Sequence, residues 1–338
     1  MDWIRRLAPT TSRAADGPPH DGTAARFSPW LIALAAAAIA NSIFLPHAHG
    51  SPIGGQNDFD QSWLAARLLL EGQDPYGVIR PGGPQGTDYP FYYPLTAAVV
   101  TLPLALVPLE AARWMFVTLA AGVLGYAIGR HRPWLWPMLL GLPFLTAVLS
   151  SQWSPWLTAA MLVPGLGFLA VAKPNVGLAV LARASSRREL LLLVGGGLAV
   201  VALSLAADYV WPLKWRDAVA GAPQFRPLIV RPGGLVLLLG LLRWRDPDAR
   251  MLLALAVAPQ TGLLYEALPV ILVARTRLEA AALALMTHLI WFSGQYVPAP
   301  GTGFTAGTWV SGTLVLWGCL VPALVLVLLR RKPRAVTG

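Results

Sequence analysis

The sequence predicts an all-α polytopic membrane protein, a bundle of about ten transmembrane helices with a helical first extracytoplasmic loop. Three observations carry that prediction. Of the 338 residues, 56% are hydrophobic and 12% charged, with a mean hydropathy of +0.57, far from the roughly 25% charged residues of soluble domains. The apolar residues fall in long runs. The net charge of +10 sits at the ends of those runs, a membrane pattern that supplies no stripe for nucleic acid. The one cysteine, Cys319, lies within an apolar run, so there is neither an intrachain disulfide nor a cysteine-based metal site.

In chain order, residues 1–29 carry Arg5, Arg6, Arg13 and Arg26 among Pro, Gly and Asp without hydrophobic periodicity, and read as a disordered cytoplasmic tail. A cleaved signal peptide is the rival reading; the leading segment is long for one, and no small-x-small site follows Leu45. Residues 30–330 form one transmembrane domain and 331–338 a second cytoplasmic tail. Trp30 to Pro46 is near the shortest run that crosses a hydrocarbon core of about 30 Å. Further apolar runs cover 111–129, 134–149, 155–182, 189–210, 230–242, 250–274, 279–297 and 308–329, with breaks at Pro164, Lys173-Pro174 and Pro259.

The stretch from Pro94 to Val107 is short and proline-rich, so it suits a re-entrant or interfacial helix, and charge decides the matter. If it does not cross, eighteen of the 26 Lys and Arg fall on one face, as cytoplasmic positive charge requires. Both termini are then cytoplasmic, and the 47–110 loop faces away from the cytoplasm.

That loop holds the densest polar chemistry. Asn57-Asp58-Phe59-Asp60-Gln61-Ser62-Trp63 leads into a helix expected from Asp60 to Glu71. Trp63, Ala66, Leu69 and Leu70 share one face, Asp60, Arg67 and Glu71 the other, and Gly72 with Asp74-Pro75 stops it. Such a helix is expected to lie flat on the membrane. Asp58 is either its N-cap, in a capping box with Gln61, or a carboxylate doing chemistry at a water boundary. Asp60 has the same two readings, with a solvated helix position favoured. Tyr93, within Asp88-Tyr89-Pro90-Phe91-Tyr92-Tyr93-Pro94, either stacks on a substrate or belongs to an interfacial aromatic belt. Trp134 and Trp136 read as the inner belt, Trp153, Trp156, Trp211 and Trp215 as the outer.

Gln152, in Ser150-Ser151-Gln152-Trp153-Ser154-Pro155, either bonds a sugar hydroxyl or caps backbone at a turn. Lys173-Pro174-Asn175 is more pointed. A lysine within an apolar segment costs roughly 2.5–3.5 kcal/mol unless it snorkels or finds an anion, and the proline frees carbonyls where an interrupted helix lines a cavity. A lipid phosphate is an anion of that kind. Ala258-Pro259-Gln260-Thr261-Gly262 is a similar interruption, and Glu266 beyond it either lines the same cavity or pairs with a cation. Lys214, Arg226 and Arg231 either bind lipid head groups or form a solvated surface. A lipid or small-anion transporter or flippase is the rival from another class, since broken helices with Lys173 and Glu266 at membrane depth suit it equally. Against it, no repeat relates the two halves and the acids gather in one outer loop. A scaffolding protein has no need of Lys173.

Asp58-Phe59, Trp63-Leu64-Ala65-Ala66-Arg67, Gly72-Gln73-Asp74-Pro75-Tyr76, Tyr93-Pro94-Leu95 and Pro103-Leu104-Ala105-Leu106-Val107-Pro108, followed by Gln152-Trp153-Ser154-Pro155 and Lys173-Pro174-Asn175, together resemble glycosyltransferase family 87 over roughly residues 55–275. Leu95 stands where that family usually has a second proline, Ser151 where glycine is common, and Gln260 where histidine often occurs. The resemblance implies a GT-C-like bundle and an inverting transfer of a sugar, mannose in that family, from a polyprenyl-phosphate donor to a glycolipid or glycan acceptor outside the cytoplasm. It further implies Asp58 as general base. Asp60, Arg67, Tyr93, Gln152, Lys173, Gln260 and Glu266 are expected around the substrates; a phosphate monoester leaving group carries less charge than a diphosphate and no second carboxylate clusters beyond Asp60, so no metal or cofactor is expected.

Overall fold

The computed structural model describes residues 28–48, 57–85, 89–294, 296 and 303–330. Both expected tails (save Ser28 and Pro29), Asp88 and the stretch 49–56 of the first loop lie outside them. The α-helices in order are α1 Pro29–Ala48, α2 Asp58–Leu70, α3 Pro75–Val78, α4 Leu95–Ala105, α5 Leu109–His131, α6 Leu142–Leu149, α7 Ser154–Ala160, α8 Pro174–Arg183, α9 Arg187–Ala207, α10 Trp211–Ala220, α11 Pro247–Val257, α12 Arg277–Gly294, α13 Gly303–Val315 and α14 Val321–Leu329. Five 3₁₀ segments lie among them, Pro133–Leu140, Pro164–Val171, Leu228–Val230, Gly234–Arg243 and Leu264–Val273, and a π turn at Leu316–Leu320 joins α13 to α14. No strand occurs among the described residues; Arg226 and Gln260 form one isolated antiparallel bridge.

Among the described residues four helical stretches are long and apolar enough to cross a membrane: Pro29–Pro46, Leu109–His131, Arg187–Ala207 and Gly307–Leu329. The other apolar runs are divided. Pro164 and Lys173-Pro174 split 155–182 into α7, a 3₁₀ segment and α8, and the turn at Pro259 separates α11 from Leu264–Val273. The segment after Pro94 forms α4, whose eleven residues span about 16 Å at 1.5 Å per residue, too short to cross.

α1 packs along α5 through two small residues one turn apart. A Cβ on Gly125 would lie 2.8 Å from the Ala36 Cβ and the Ile32 carbonyl, and one on Gly129 would lie 2.6 Å from the Pro29 Cα. Around this pair one apolar core joins α2, α4, α6, α7 and α8; a second gathers α11, Leu264–Val273 and the final helices.

α5 also separates two polar ends. Its first turn meets α2, since Arg113 pairs with Asp60; its last turn delivers Arg132, about 28 Å further on at the helical rise. There Arg132 donates to the Leu272 carbonyl (2.8 Å), Trp134 to Ala274 (3.0 Å), Arg330 to Val273 (2.6 Å) and Arg250 to Ala182 (2.7 Å). Arg183 and Arg330 both pair with Asp248, at 3.2 and 3.0 Å. Cations at carboxyl-terminal carbonyls complement helix ends, and here they draw widely separated arginines to one end of the molecule. Trp153, Trp156 and Trp215 lie at the other, by Phe116 and the Tyr92 carbonyl.

Candidate active site

α2 starts two residues earlier than expected, and its cap differs. The N-cap is Asn57, with no side-chain capping bond; its Oδ1 instead accepts from the Ser151 hydroxyl at 3.2 Å, and the Asp58 amide donates to the Ser150 carbonyl at 3.1 Å. The turn ending α6 thus does the work of a cap, and the Asp58 side chain is left for other partners. The capping reading of Asp58 is thereby corrected.

That turn is itself specified locally. The Ser151 amide donates to Val148 (3.1 Å) and the Gln152 amide to Ala147 (2.8 Å), a Schellman ending that needs a left-handed residue at its centre. Ser151 occupies it at φ 48°, where glycine is the usual solution. The turn aims Gln152 at Lys173: the Gln152 Oε1 accepts from Lys173 Nζ at 2.8 Å.

Lys173 stands in the break between Pro164–Val171 and α8, with extended backbone (φ −138°, ψ 83°) and Pro174 at the first helical position. The interruption leaves the Val171 carbonyl outside the helix ladder, and the Thr96 hydroxyl takes it at 2.6 Å. This contact brings the strand-like Tyr93-Pro94 beside the break. Gly177 permits α8 to fold back, since a Cβ there would fall 1.9 Å from the Ala170 carbonyl.

The result is one cluster. Lys173 Nζ lies 3.7 Å from Asp58 Oδ2, the Tyr93 hydroxyl donates to that same oxygen at 2.9 Å, and the Tyr265 ring centroid is 4.8 Å from Nζ. Lys173 is 7% exposed, so it does not snorkel; the Asp58 side chain is 39% exposed and remains open to a ligand. The Tyr93 phenol is held well above its ordinary pKa by burial first and then by the Asp58 carboxylate, so it stays a donor. The backbone behind it is pinned by the Tyr76 hydroxyl on the Tyr93 carbonyl and Trp215 Nε1 on the Tyr92 carbonyl, both at 2.9 Å.

Of the expected set, Asp58, Tyr93, Gln152 and Lys173 meet; the others do not join them directly. Asp60 is fully buried and forked by Arg113, at 2.7 Å from Nε and 2.5 Å from Nη2, which corrects the solvated position. Arg67 donates to the Ala105 carbonyl at 3.2 Å and, with Trp63, caps the end of α4. α2 therefore packs against α4 and the start of α5, burying Phe59, Asp60, Ser62, Leu64, Ala65, Ala66 and Leu68, where one polar face was expected to meet solvent. The Gln260 amide is spent on the Leu255 carbonyl.

Glu266 is buried and forms no ion pair among the described residues. Its carboxylate accepts from Asn175 Nδ2 (2.9 Å), the Thr261 hydroxyl (2.9 Å) and the amides of Gly262 (2.8 Å) and Leu263 (3.3 Å). It braces the start of α8 against the turn after Pro259, and so sets Lys173 indirectly. Sequence reasoning gave no role to Tyr265, Asn175 or Arg113. The legible signal for Arg113 was a lone cation inside an apolar run, which needs a partner.

Among the described residues no three His, Cys, Asp or Glu side chains gather in metal-binding fashion. No protein-family model, curated protein or solved structure matches the chain.

Proposed function

We propose that this chain is an integral membrane glycosyltransferase that moves a sugar, mannose by the family 87 resemblance, from a polyprenyl-phosphate donor to a glycolipid or glycan acceptor on the extracytoplasmic face. One observation carries the reading: a partly exposed carboxylate, Asp58, stands 3.7 Å from a buried lysine. In the reaction Asp58 takes the proton of an acceptor hydroxyl while that oxygen attacks the anomeric carbon. The bond from that carbon to the donor's phosphate oxygen breaks with its electron pair, and Lys173 holds the departing polyprenyl phosphate. Configuration at carbon inverts because attack and departure use opposite faces. Base catalysis is typically worth about 10² to 10⁴ in rate, and a fixed cation at the leaving oxygen adds to it in a water-poor site.

The about ten crossings, both termini cytoplasmic and the site extracytoplasmic, belong to the same proposal. It is supported by the separation of the Asp58 cluster from the arginine-rich end along α5 and by the preference of positive charge for the cytoplasmic side. Nucleotide sugars are not available outside the cytoplasmic membrane, so a transferase there needs a lipid-carried donor. The break at Lys173 also suits a transporter of lipid or small anions, which would move labelled lipid without altering it.

In membranes given radiolabelled polyprenyl-phosphate mannose, the Asp58→Asn variant is expected to lose transfer by at least about a hundredfold at unchanged protein level. Wild-type rates in that variant would return Asp58 to a structural role, and lipid translocation without covalent transfer by the wild type would favour the transporter.

A further inference from the structure

Arg231 was read above as either a lipid-binding or a solvated surface residue, and it is neither exposed nor ion-paired. It is 6% exposed, its Nε is buried without a hydrogen-bond partner, Nη1 donates to the Trp309 carbonyl at 2.8 Å and Nη2 reaches the Thr261 carbonyl only at 3.5 Å. Among the described residues no carboxylate lies within ion-pair distance of it. Glu266, whose field acts on it, is already bonded by Asn175, Thr261, Gly262 and Leu263.

Two glycines make room for the guanidinium. A Cβ on Gly312 would fall 2.2 Å from its Cζ, and one on Gly262, at φ +72°, would fall 3.2 Å from Nη2. The following backbone is held as well: Trp317, in the π turn, covers Gly233, and its Nε1 donates to the Pro232 carbonyl at 3.3 Å. A half-bonded buried cation is costly to keep without an anion. A chain of contacts links it to the Asp58 cluster. Thr261 touches Arg231 through its carbonyl and Glu266 through its hydroxyl, and the Tyr265 ring beside Glu266 carries Lys173.

We propose that Arg231 is a second anion-holding residue, which takes the phosphate of a lipid substrate alongside Lys173. The planar guanidinium, with Nε unpartnered and Nη2 only loosely held at 3.5 Å, suits two phosphate oxygens at once. The phosphate is that of the lipid donor or of a phospholipid-like acceptor, and the proposal rests on the transferase reading only for that identity.

The test is binding by the full chain purified in detergent, with dioctanoyl phosphatidic acid, dioctanoylglycerol and farnesyl phosphate as probes. The wild type is expected to bind both phosphates and to ignore dioctanoylglycerol. R231Q should bind phosphatidic acid about tenfold or more weakly, the loss expected for a charge-assisted fork. If farnesyl phosphate weakens equally, the site holds the donor's phosphate; if it binds as before while K173Q loses it, the site holds the acceptor's. Should R231Q fail to fold, R231K, which keeps the charge and loses the fork, is expected to show the same weakening. Unchanged phosphate binding in a folded R231Q or R231K overturns the proposal. Phosphate binding is read without any transfer step, so a failed transfer assay and a failed anion site are told apart.

Discussion

At the residue scale, three groups act on one carboxylate and one ammonium. Tyr93 and Lys173 both address Asp58 Oδ2, while Gln152 holds Lys173 from the other side. In the proposed reaction this arrangement leaves the second carboxylate oxygen for an acceptor hydroxyl. Tyr93 is therefore a positioning residue. Tyr93→Phe is expected to lower kcat about ten- to a hundredfold, since a hydrogen bond to a charged group contributes roughly 1.5–3 kcal/mol, with KM for the lipid donor unchanged. A shift in KM alone, or a loss of protein from the membrane, would assign Tyr93 to donor binding or to folding. The Asp60–Arg113 pair has a different role: both side chains are fully buried, and a pair of that kind is strongly destabilising when half removed. It holds the first turn of α2 against α5 and so sets where Asp58 stands.

At the element scale, the site exists because two helices stop where they do. α2 ends in a Schellman turn, with Gly72 at φ 69° and the Gln73 amide on the Leu68 carbonyl at 2.8 Å, and α8 begins only after Lys173. Both stops were legible, because glycine and proline act through local sterics. The α1–α5 contact is a second element-scale dependence. Gly125→Val and Gly129→Val are expected to lower the thermal midpoint in detergent, at a cost of roughly 1–3 kcal/mol each from overpacking. Gly122→Val is the control, because a Cβ there meets nothing within 4 Å. Equal midpoints for the three variants would refute close packing of α1 on α5. α2 was legible in extent but not in burial: its polar residues suggested a solvent face, whereas Asp60 is neutralised by an arginine from another helix.

At the scale of the whole molecule, the arginines carry cohesion and, on the proposed topology, orientation. Arg132, Arg183, Arg250 and Arg330 come from distant parts of the chain and converge on Asp248 and on the ends of neighbouring helices. Single-cysteine labelling checks the orientation proposed from this. Cys319 is buried and gives little background, while Gln73 and Arg188 are exposed and lie at opposite ends of the molecule. A membrane-impermeant maleimide is expected to label Gln73→Cys in intact cells and Arg188→Cys only after permeabilisation. The reverse pattern would put the Asp58 cluster in the cytoplasm and remove the need for a lipid-carried donor.

What the amino-acid order determined by itself was whatever depends on near neighbours: an apolar all-helical chain, the stop after Leu70, the break at Lys173-Pro174, and arginines at the ends of apolar runs. Only the tertiary structure decided which polar groups meet. It joined Asp58 to Lys173 and withdrew Asp60, Arg67, Gln260 and Glu266 into bonds with Arg113, Ala105, Leu255 and Asn175. The reason is physical: a helix stop is written in the sterics of one or two residues, whereas a buried charge takes its partner from whichever helix face the packing brings within reach.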